Sequence, residues 1–383
     1  MKFYRLQQLT RPDLQAHIYS RDLLANINAL KSLCKPETKF CAVVKANAYG
    51  HGITEITNIV KNADVRFFAV ASIYEAIHIA SLVSEQSIFI LEPVNQSMPP
   101  DLVHLCTRKQ FHCAIASLEA LQFVHKILAG SDRVLNLHVN VETGMGRSGL
   151  EKARAGKLIK FIDQSPNTKL AGIYTHFATA DEDDLSYAHR QLETFIDFLK
   201  KNNLAERKDV IIHAANSAAT IKMPRAHFDM VRCGIAMYGY YSRPMEAPPI
   251  KLTPVMKLQA PIIQLKEIPS QHVVGYGSSF ITKRDTLAAI IPLGYADGYF
   301  RCFSNTAKMK IGDYTANVIG RVCMDQLVID VTDVPNVSIG QMVTVIDSIH
   351  DSPCGAYKLA ELGDTICYEI LTCVHSHVSR IVH

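Results

Sequence analysis

KFCAVVKANAYGHG, residues 39–52, decides the fold. Five apolar residues, Phe40 to Val44, run unbroken into Lys45. A run of that length and purity reads as a strand buried on both faces, as in a parallel sheet. The lysine ends it, and Gly50 and Gly52 on either side of His51 mark a tight turn. Next comes Ile53–Asn62, with apolar residues at three- and four-residue spacings, which predicts an amphipathic helix. Along the chain the same unit recurs. RFFAVA ending near Ala71, SIFILE near Glu92, FHCAIA near Ala116, RVLNLHV at Val139, KLAGIYTHF around Tyr174, DVIIHAAN at Asn216 and FDMVRCGIAM around Arg232 all read as buried strands. Helical periodicity falls between them over Ile73–Leu82, Leu118–Leu128, Lys152–Asp163 and Tyr187–Leu199. An open doubly wound α/β sheet has the same local pattern, but eight units match the number that closes a TIM (β/α)8 barrel.

The Pro-rich, aperiodic YYSRPMEAPPI at 240–250 reads as a boundary near residue 245. Beyond it, VMKLQAPIIQLKEI, TLAAIIPL, MKIGDYTANVIG, QLVIDVTDV and QMVTVID are short, β-branched and separated by Gly, Asp and Pro, with helical pattern only around Tyr357–Leu362. The expectation is an N-terminal barrel domain, residues 1–245, followed by a mostly β C-terminal domain, residues 246–383. A length of 383 residues agrees with two cores rather than one.

With 48% hydrophobic and 20% charged residues, disorder and fibrous repeats are excluded. The net charge of +4 is spread along the chain without a basic tract, so neither nucleic acid nor a membrane surface is indicated as a partner. No apolar stretch is long enough to span a bilayer, and MKFYRLQQLTRPD lacks the apolar core of a secretory leader. A cytoplasmic location is expected. The ten cysteines include no CxxC pair and sit in apolar segments, as reduced core residues do.

In a barrel of this kind reactive groups gather where the strands end. Lys45 at such an end is partly desolvated, which lowers its pKa and suits it to imine formation or proton transfer. Tyr49 in the following turn offers a hydroxyl beside backbone donors. Isolated histidines such as His51, His213 and His375 show no metal-ligand spacing, HSH at 375–377 reads as a surface feature, and no catalytic metal is predicted. The acidic DEDD at 181–184 reads as a helix start or a solvated loop.

AVVKANAYGHG resembles the pyridoxal-phosphate lysine signature of the alanine racemases, a fold-type III family. In the same order follow VETGMGRSG around Arg147, GIYTHFATADE around His176, HAANSAA around Asn216, MVRCGIAMYG around Arg232, VGYGSSF around Tyr276, PLGYADG around Tyr295, GRVCMDQ around Met324 and TICYEIL around Tyr368. The resemblance spans nearly the whole chain. It implies a PLP-dependent isomerase that interconverts L- and D-alanine and supplies D-alanine for peptidoglycan. Pyridoxal 5'-phosphate would be held covalently on Lys45, which is also one catalytic base; Tyr276 would be the other, aided by His176 and neighbouring positive charge. Arg232 would face the cofactor's ring nitrogen and leave it unprotonated, because a guanidinium does not readily give up a proton. Tyr49, Ser217, Tyr368 and the backbone of Gly234 and Ile235 would hold the phosphate, with Asn216 starting the adjoining helix. Arg147 would contact the cofactor phenolate and the substrate carboxylate, and the Met324 N–H would be the second carboxylate contact. Tyr295, Arg321, Ile366 and Tyr368 would narrow the entrance to small side chains.

The family builds each site from two chains, so a homodimer with shared active sites is expected. One departure matters chemically. Asn140 stands where many relatives carry a carbamylated lysine, and Glu142 stands in place of an aspartate, so a chloride near Asn140 is expected to supply the missing anion. Ser379, where proline is common, bears on local geometry alone. Two other readings are a serine or broad-specificity amino-acid racemase and, more distantly, a basic amino-acid decarboxylase of the same plan. The decarboxylases pair the ring nitrogen with a carboxylate and use a Gly-rich phosphate loop, neither of which matches Arg232 and Ser217.

Overall fold

A computed structural model describes residues 10–383. Most of the N-terminal stretch read above for a leader lies in residues 1–9, outside the described residues. The first described strand, β1 (Arg11–Ile18), precedes the barrel. The eight apolar runs become β2 (Lys39–Val43), β3 (Phe67–Val70), β4 (Ser87–Ile90), β5 (His112–Ile115), β6 (Leu135–Asn140), β7 (Thr168–Tyr174), β8 (Ile211–His213) and β9 (Met230–Cys233). They form one sheet in the order β8-β7-β6-β5-β4-β3-β2-β9, and every pair is parallel. The two ends of that order meet. Asp229 N–H donates to Ile212 O at 3.0 Å and Arg232 N–H to Ala215 O at 2.9 Å, so the sheet curls into a nearly closed barrel.

Packing explains why these runs are unbroken. Phe40, Cys41, Ala42 and Val43 on β2 are all buried, since one face fills the barrel and the other meets the helices. Helices occupy Ile53–Val60, Ile73–Ile79, Leu118–Leu128, Lys152–Gln164 and Ser186–Lys201, within a few residues of the periodic segments. Two further helices, Ser20–Lys31 and Pro100–Arg108, were not read from periodicity.

After residue 245 the regular structure is mostly strand: β10 (Met256–Pro261), β11 (Gln264–Ile268), β12 (Val273–Val274), β13 (Phe280–Ile281), β14 (Thr286–Ile291), β15 (Lys308–Ile311), β16 (Tyr314–Val318), β17 (Leu327–Asp330), β18 (Met342–Ile346) and β19 (Val378–Val382). Nine strands form the sheet β11-β14-β17-β16-β15-β18-β10-β1-β19, and β12 pairs with β13. Within it β1 lies antiparallel to β10, with Gln15 opposite Gln259, and parallel to β19, with Gln15 opposite Ser379. Residues 11–18, grouped by sequence with the barrel, therefore hydrogen-bond into the second sheet. Burial of Leu14, Ala16 and Ile18 at alternate positions is the physical reason, because only one face of that strand meets a core. Among the described residues no helix is long and apolar enough to cross a membrane, and all ten cysteines are unpaired.

Candidate active site

Lys45 leaves the end of β2 and enters a turn of unusual hand. Ala46, Asn47, Ala48 and Tyr49 have φ of 54°, 52°, 53° and 53°, followed by Gly50 at 80°. Each non-glycine residue in that region costs roughly 1–2 kcal/mol, so the surroundings must hold the turn in place. Ala48 N–H donates to Val44 O at 2.9 Å and Gly50 N–H to Ala46 O at 3.1 Å. The Asn47 side chain accepts from Ile53 N–H at 2.9 Å. His51 is buried with Nδ1 2.9 Å from Tyr49 O, so that nitrogen carries the proton and donates to the turn. Glu75 completes the clamp. Its Oε1 accepts from Ala46 N–H at 2.8 Å and its Oε2 from Ala71 N–H at 2.7 Å, which ties the lysine turn to the end of β3. Burial and then the nearby Arg147 hold the Lys45 ammonium below the ordinary lysine value, with Glu75 opposing them.

The ends of β6, β7, β8 and β9 supply the rest. After β6, Glu142 accepts from Met145 N–H at 2.6 Å and Gly146 N–H at 2.9 Å, shaping the turn that delivers Arg147. Asn140 is buried and donates to Ser148 Oγ at 3.4 Å, and Asn140 and Arg147 line the same small hollow. Beyond β8, the Asn216 side chain accepts from Ala219 N–H at 2.9 Å and caps the short helix that Ser217 begins. Ser217 Oγ accepts from Gly234 N–H at 2.9 Å and from Ala236 N–H at 3.3 Å. A Cβ at Gly234 would lie 2.3 Å from the Tyr49 hydroxyl. Only glycine lets that hydroxyl and the amides of the Gly234 turn close on one spot. Tyr368 lies beside Tyr49, and its hydroxyl is 2.8 Å from Ser242 Oγ.

Arg232 is buried on β9 and holds no carboxylate. NH1 donates to His213 Nδ1 at 2.8 Å, and NH2 donates to Thr175 O at 2.9 Å, Ala214 O at 3.1 Å and His176 Nδ1 at 3.2 Å. The guanidinium carbon sits 5.3 Å from the centre of the Tyr174 ring. Burial first, then Arg232 and Arg147, push His176 down to about 3, so its imidazole is neutral at neutral pH. His213, read from the sequence as an isolated histidine, is part of this array. His377, read as a surface residue, has Nε2 2.7 Å from the buried Asp297 carboxylate.

Lys45, Tyr49, Arg147, His176, Asn216, Ser217, Arg232, Gly234, Ile235 and Tyr368 thus line one cavity of about 520 Å³. The residues fit pyridoxal phosphate: an amine on one wall, a cradle of hydroxyls and amides that a Cβ would fill, and a guanidinium held by neutral acceptors. Tyr276 and Met324 do not line it. Tyr276 is 70% exposed on the β unit, between Gly275 and Gly277, and Met324 is 58% exposed. Nearby on that unit, the Arg321 guanidinium approaches within 3.0 Å of where a Gly277 side chain would begin, and Tyr295 N–H donates to Cys323 O at 3.1 Å. Within one chain His176 meets Arg232 rather than Tyr276. Glu75 went unread from the sequence, although Ser72-x-x-Glu75 before an apolar run is a legible capping box.

Residues 18–242 match the family model described as alanine racemase, N-terminal domain, and residues 255–382 match alanine racemase, C-terminal domain. The chain is 33% identical over 372 residues to an alanine racemase of Clostridium novyi, covering 96% of this chain and 94% of that one. In three dimensions it resembles an alanine racemase of Clostridium difficile 630, with TM-score 0.88 and 28% identity, covering 97% of this chain and 96% of the other. It also resembles an alanine racemase from Bacillus anthracis solved with bound L-Ala-P, with TM-score 0.87 and 30% identity over 97% and 95% of the two chains.

Proposed function

The chain belongs to the alanine racemase family of PLP-dependent isomerases, and from that premise we propose that it interconverts L- and D-alanine. Lys45 and the partner subunit's Tyr276 would handle the α-proton on opposite sides of the substrate. The observation that carries this reading is the convergence of Lys45, with its depressed pKa, and a carboxylate-free Arg232 on one cavity.

Bound pyridoxal phosphate would supply an electron sink that makes the α-hydrogen of an amino acid removable. The chain's own groups do the remainder. Ser217, Tyr49, Tyr368 and the amides of Gly234 and Ile235 would hold the phosphate. Lys45 Nζ, poor at keeping its charge in this pocket, would take the α-proton of one enantiomer on its own side while the hydroxyl of the partner's Tyr276 gives a proton on the other, and the two roles exchange for the opposite enantiomer. Arg232 would face the ring nitrogen and keep its own proton, because a guanidinium value that starts above 12 leaves it charged at neutral pH although burial lowers it. With Nδ1 accepting from Arg232, His176 has Nε2–H free to donate to the phenolate of the partner's Tyr276, favouring its charged form. Arg147 and the backbone N–H of the partner's Met324 hold the carboxylate, while Tyr295, Arg321, Ile366 and Tyr368 restrict the entrance to small side chains.

Exposure of Tyr276 and Met324 on a unit apart from the Lys45 cavity supports a homodimer in which each site draws on two chains. The neutral Asn140 beside Arg147 supports a bound chloride, and a bromide-soaked crystal without anomalous signal there would remove it. Ten unpaired cysteines fit a reducing, cytoplasmic setting, and the product suits supply of D-alanine for peptidoglycan. The same reading divides the chain near residue 245, with β1 lent to the second unit. Incubation with L-alanine in deuterated water tests the activity: α-deuterium incorporation with loss of optical rotation is expected. Carbon dioxide release would indicate a decarboxylase, and equal rates with serine a broader racemase.

A further inference from the structure

Three histidines cross the barrel interior in an unbroken line that ends on Arg232. His112 Nδ1 on β5 lies 2.8 Å from His138 Nε2 on β6, and His138 Nδ1 lies 2.9 Å from His213 Nε2 on β8. His213 Nδ1 lies 2.8 Å from Arg232 NH1. Donor chemistry fixes the sense of the whole line. A guanidinium only donates, so His213 Nδ1 must accept. A neutral imidazole has one N–H, which then sits on His213 Nε2 and donates to His138 Nδ1. His138 in turn donates through Nε2 to His112 Nδ1. Burial favours the neutral form of all three rings, His112 being held down to about 4.

The rings are also held in place. Phe89 stacks on His138 at 4.5 Å, and Tyr174 stacks on His213 at 4.9 Å with planes 7° apart. A Cβ on Gly172 would come within 2.3 Å of His138 Nδ1, so β7 carries a glycine where this ring presses against it. The β6–β7 pairing shifts register at the same place, between Leu137 and His138.

We propose that His112 and His138 are positioning residues: by fixing His213 as an acceptor, they turn the negative end of a polarised imidazole chain toward Arg232 and keep it charged and aimed into the cavity. Aligned hydrogen bonds strengthen one another in a low-dielectric interior. A carboxylate in the place of His213 would also stabilise the cation, but it would cancel the charge presented to the cavity. Neutral dipoles stabilise the guanidinium and leave its full charge facing inward. The catalytic meaning of this array rests on the reading that Arg232 faces the ring nitrogen of pyridoxal phosphate; its hydrogen-bond sense does not.

The test uses holoenzyme labelled with ¹⁵N-histidine, observed by NMR without amino acid. Single Nε2–H tautomers are expected for all three residues. In His138→Phe, and in His112→Leu at the half-buried end should the first variant not fold, His213 is expected to lose its single tautomer. Racemisation kcat should fall about tenfold, the scale of removing a group that orients another, with KM for alanine unchanged. A purely structural role would lower the thermal midpoint and leave tautomer and kcat alone, which overturns the proposal. So does an Nδ1–H tautomer or a tautomer mixture at His213 in the unaltered protein. Racemisation without the expected tautomers overturns the chain alone; the expected tautomers in a protein that never exchanges the α-hydrogen of alanine overturn the functional reading instead.

Discussion

Gly234 leaves no room for even one methyl group beside the Tyr49 hydroxyl. Gly234→Ala is therefore expected to weaken pyridoxal phosphate binding at least tenfold, about 1.4 kcal/mol, read by titrating cofactor-stripped protein and following absorbance. An affinity within twofold of the parent would contradict the cradle. Lys45 gives a second residue-scale expectation. Because its pKa is lowered, attachment of the cofactor to stripped protein should speed up as pH rises, with a midpoint below 10.5. Glu75 opposes that shift, so Glu75→Gln should move the midpoint lower still; a rise would show that the sign is wrong. Individual residues were only partly legible in the sequence. The strand end pointed to Lys45 and Tyr49 and the family resemblance to the other eight cavity residues, whereas His112 and His138 look like any polar residue inside the apolar runs FHCAIA and RVLNLHV. Neighbours one and two strands away give them their role, and no local pattern records such neighbours.

The element that most needs explaining is the left-handed turn from Ala46 to Tyr49. Four residues pay for an uncommon backbone conformation so that Lys45 and Tyr49 both face the cavity. Ala46 is exposed and uses only its backbone in the clamp. Ala46→Gly should accordingly raise folding stability by about 0.5–1 kcal/mol, seen as a higher denaturation midpoint; a lower midpoint would mean the turn is not strained at that position. Elements with strong periodicity were readable, and the helix Leu118–Leu128 has the predicted limits. The conformation of this turn was not, because ANAY carries no left-handed signal apart from asparagine. Strand β1 was not readable either. RPDLQAHI opens with charge and proline, and its partners β10 and β19 are remote in sequence, so its place depends on contacts no local window contains.

For the whole molecule, the separation of Lys45 from Tyr276 predicts that two defective chains repair each other. Mixing Lys45→Ala and Tyr276→Ala proteins should restore up to one intact site per dimer, and no recovery after proven subunit exchange would refute sharing. The buried histidines shape the response to acid. Burial holds His51 and His112 down to about 4 and His176 to about 3, whereas an unfolded histidine titrates near 6.5. As pH falls the unfolded chain takes up protons first, so the contribution of these groups is full above about 6.5 and declines below it. The slope is about 1.4 kcal/mol per pH unit for each group until the folded values are reached. The denaturation midpoint should fall steadily between pH 6.5 and 4, and a flat profile there would count against neutral burial. The seating of β1 between β10 and β19 also sets an order of events during synthesis. The opening strand leaves the ribosome before either neighbour has been made, while the barrel has all its strands by residue 233. The barrel can therefore close on the nascent chain, and the second sheet is completed only once β19 has been made.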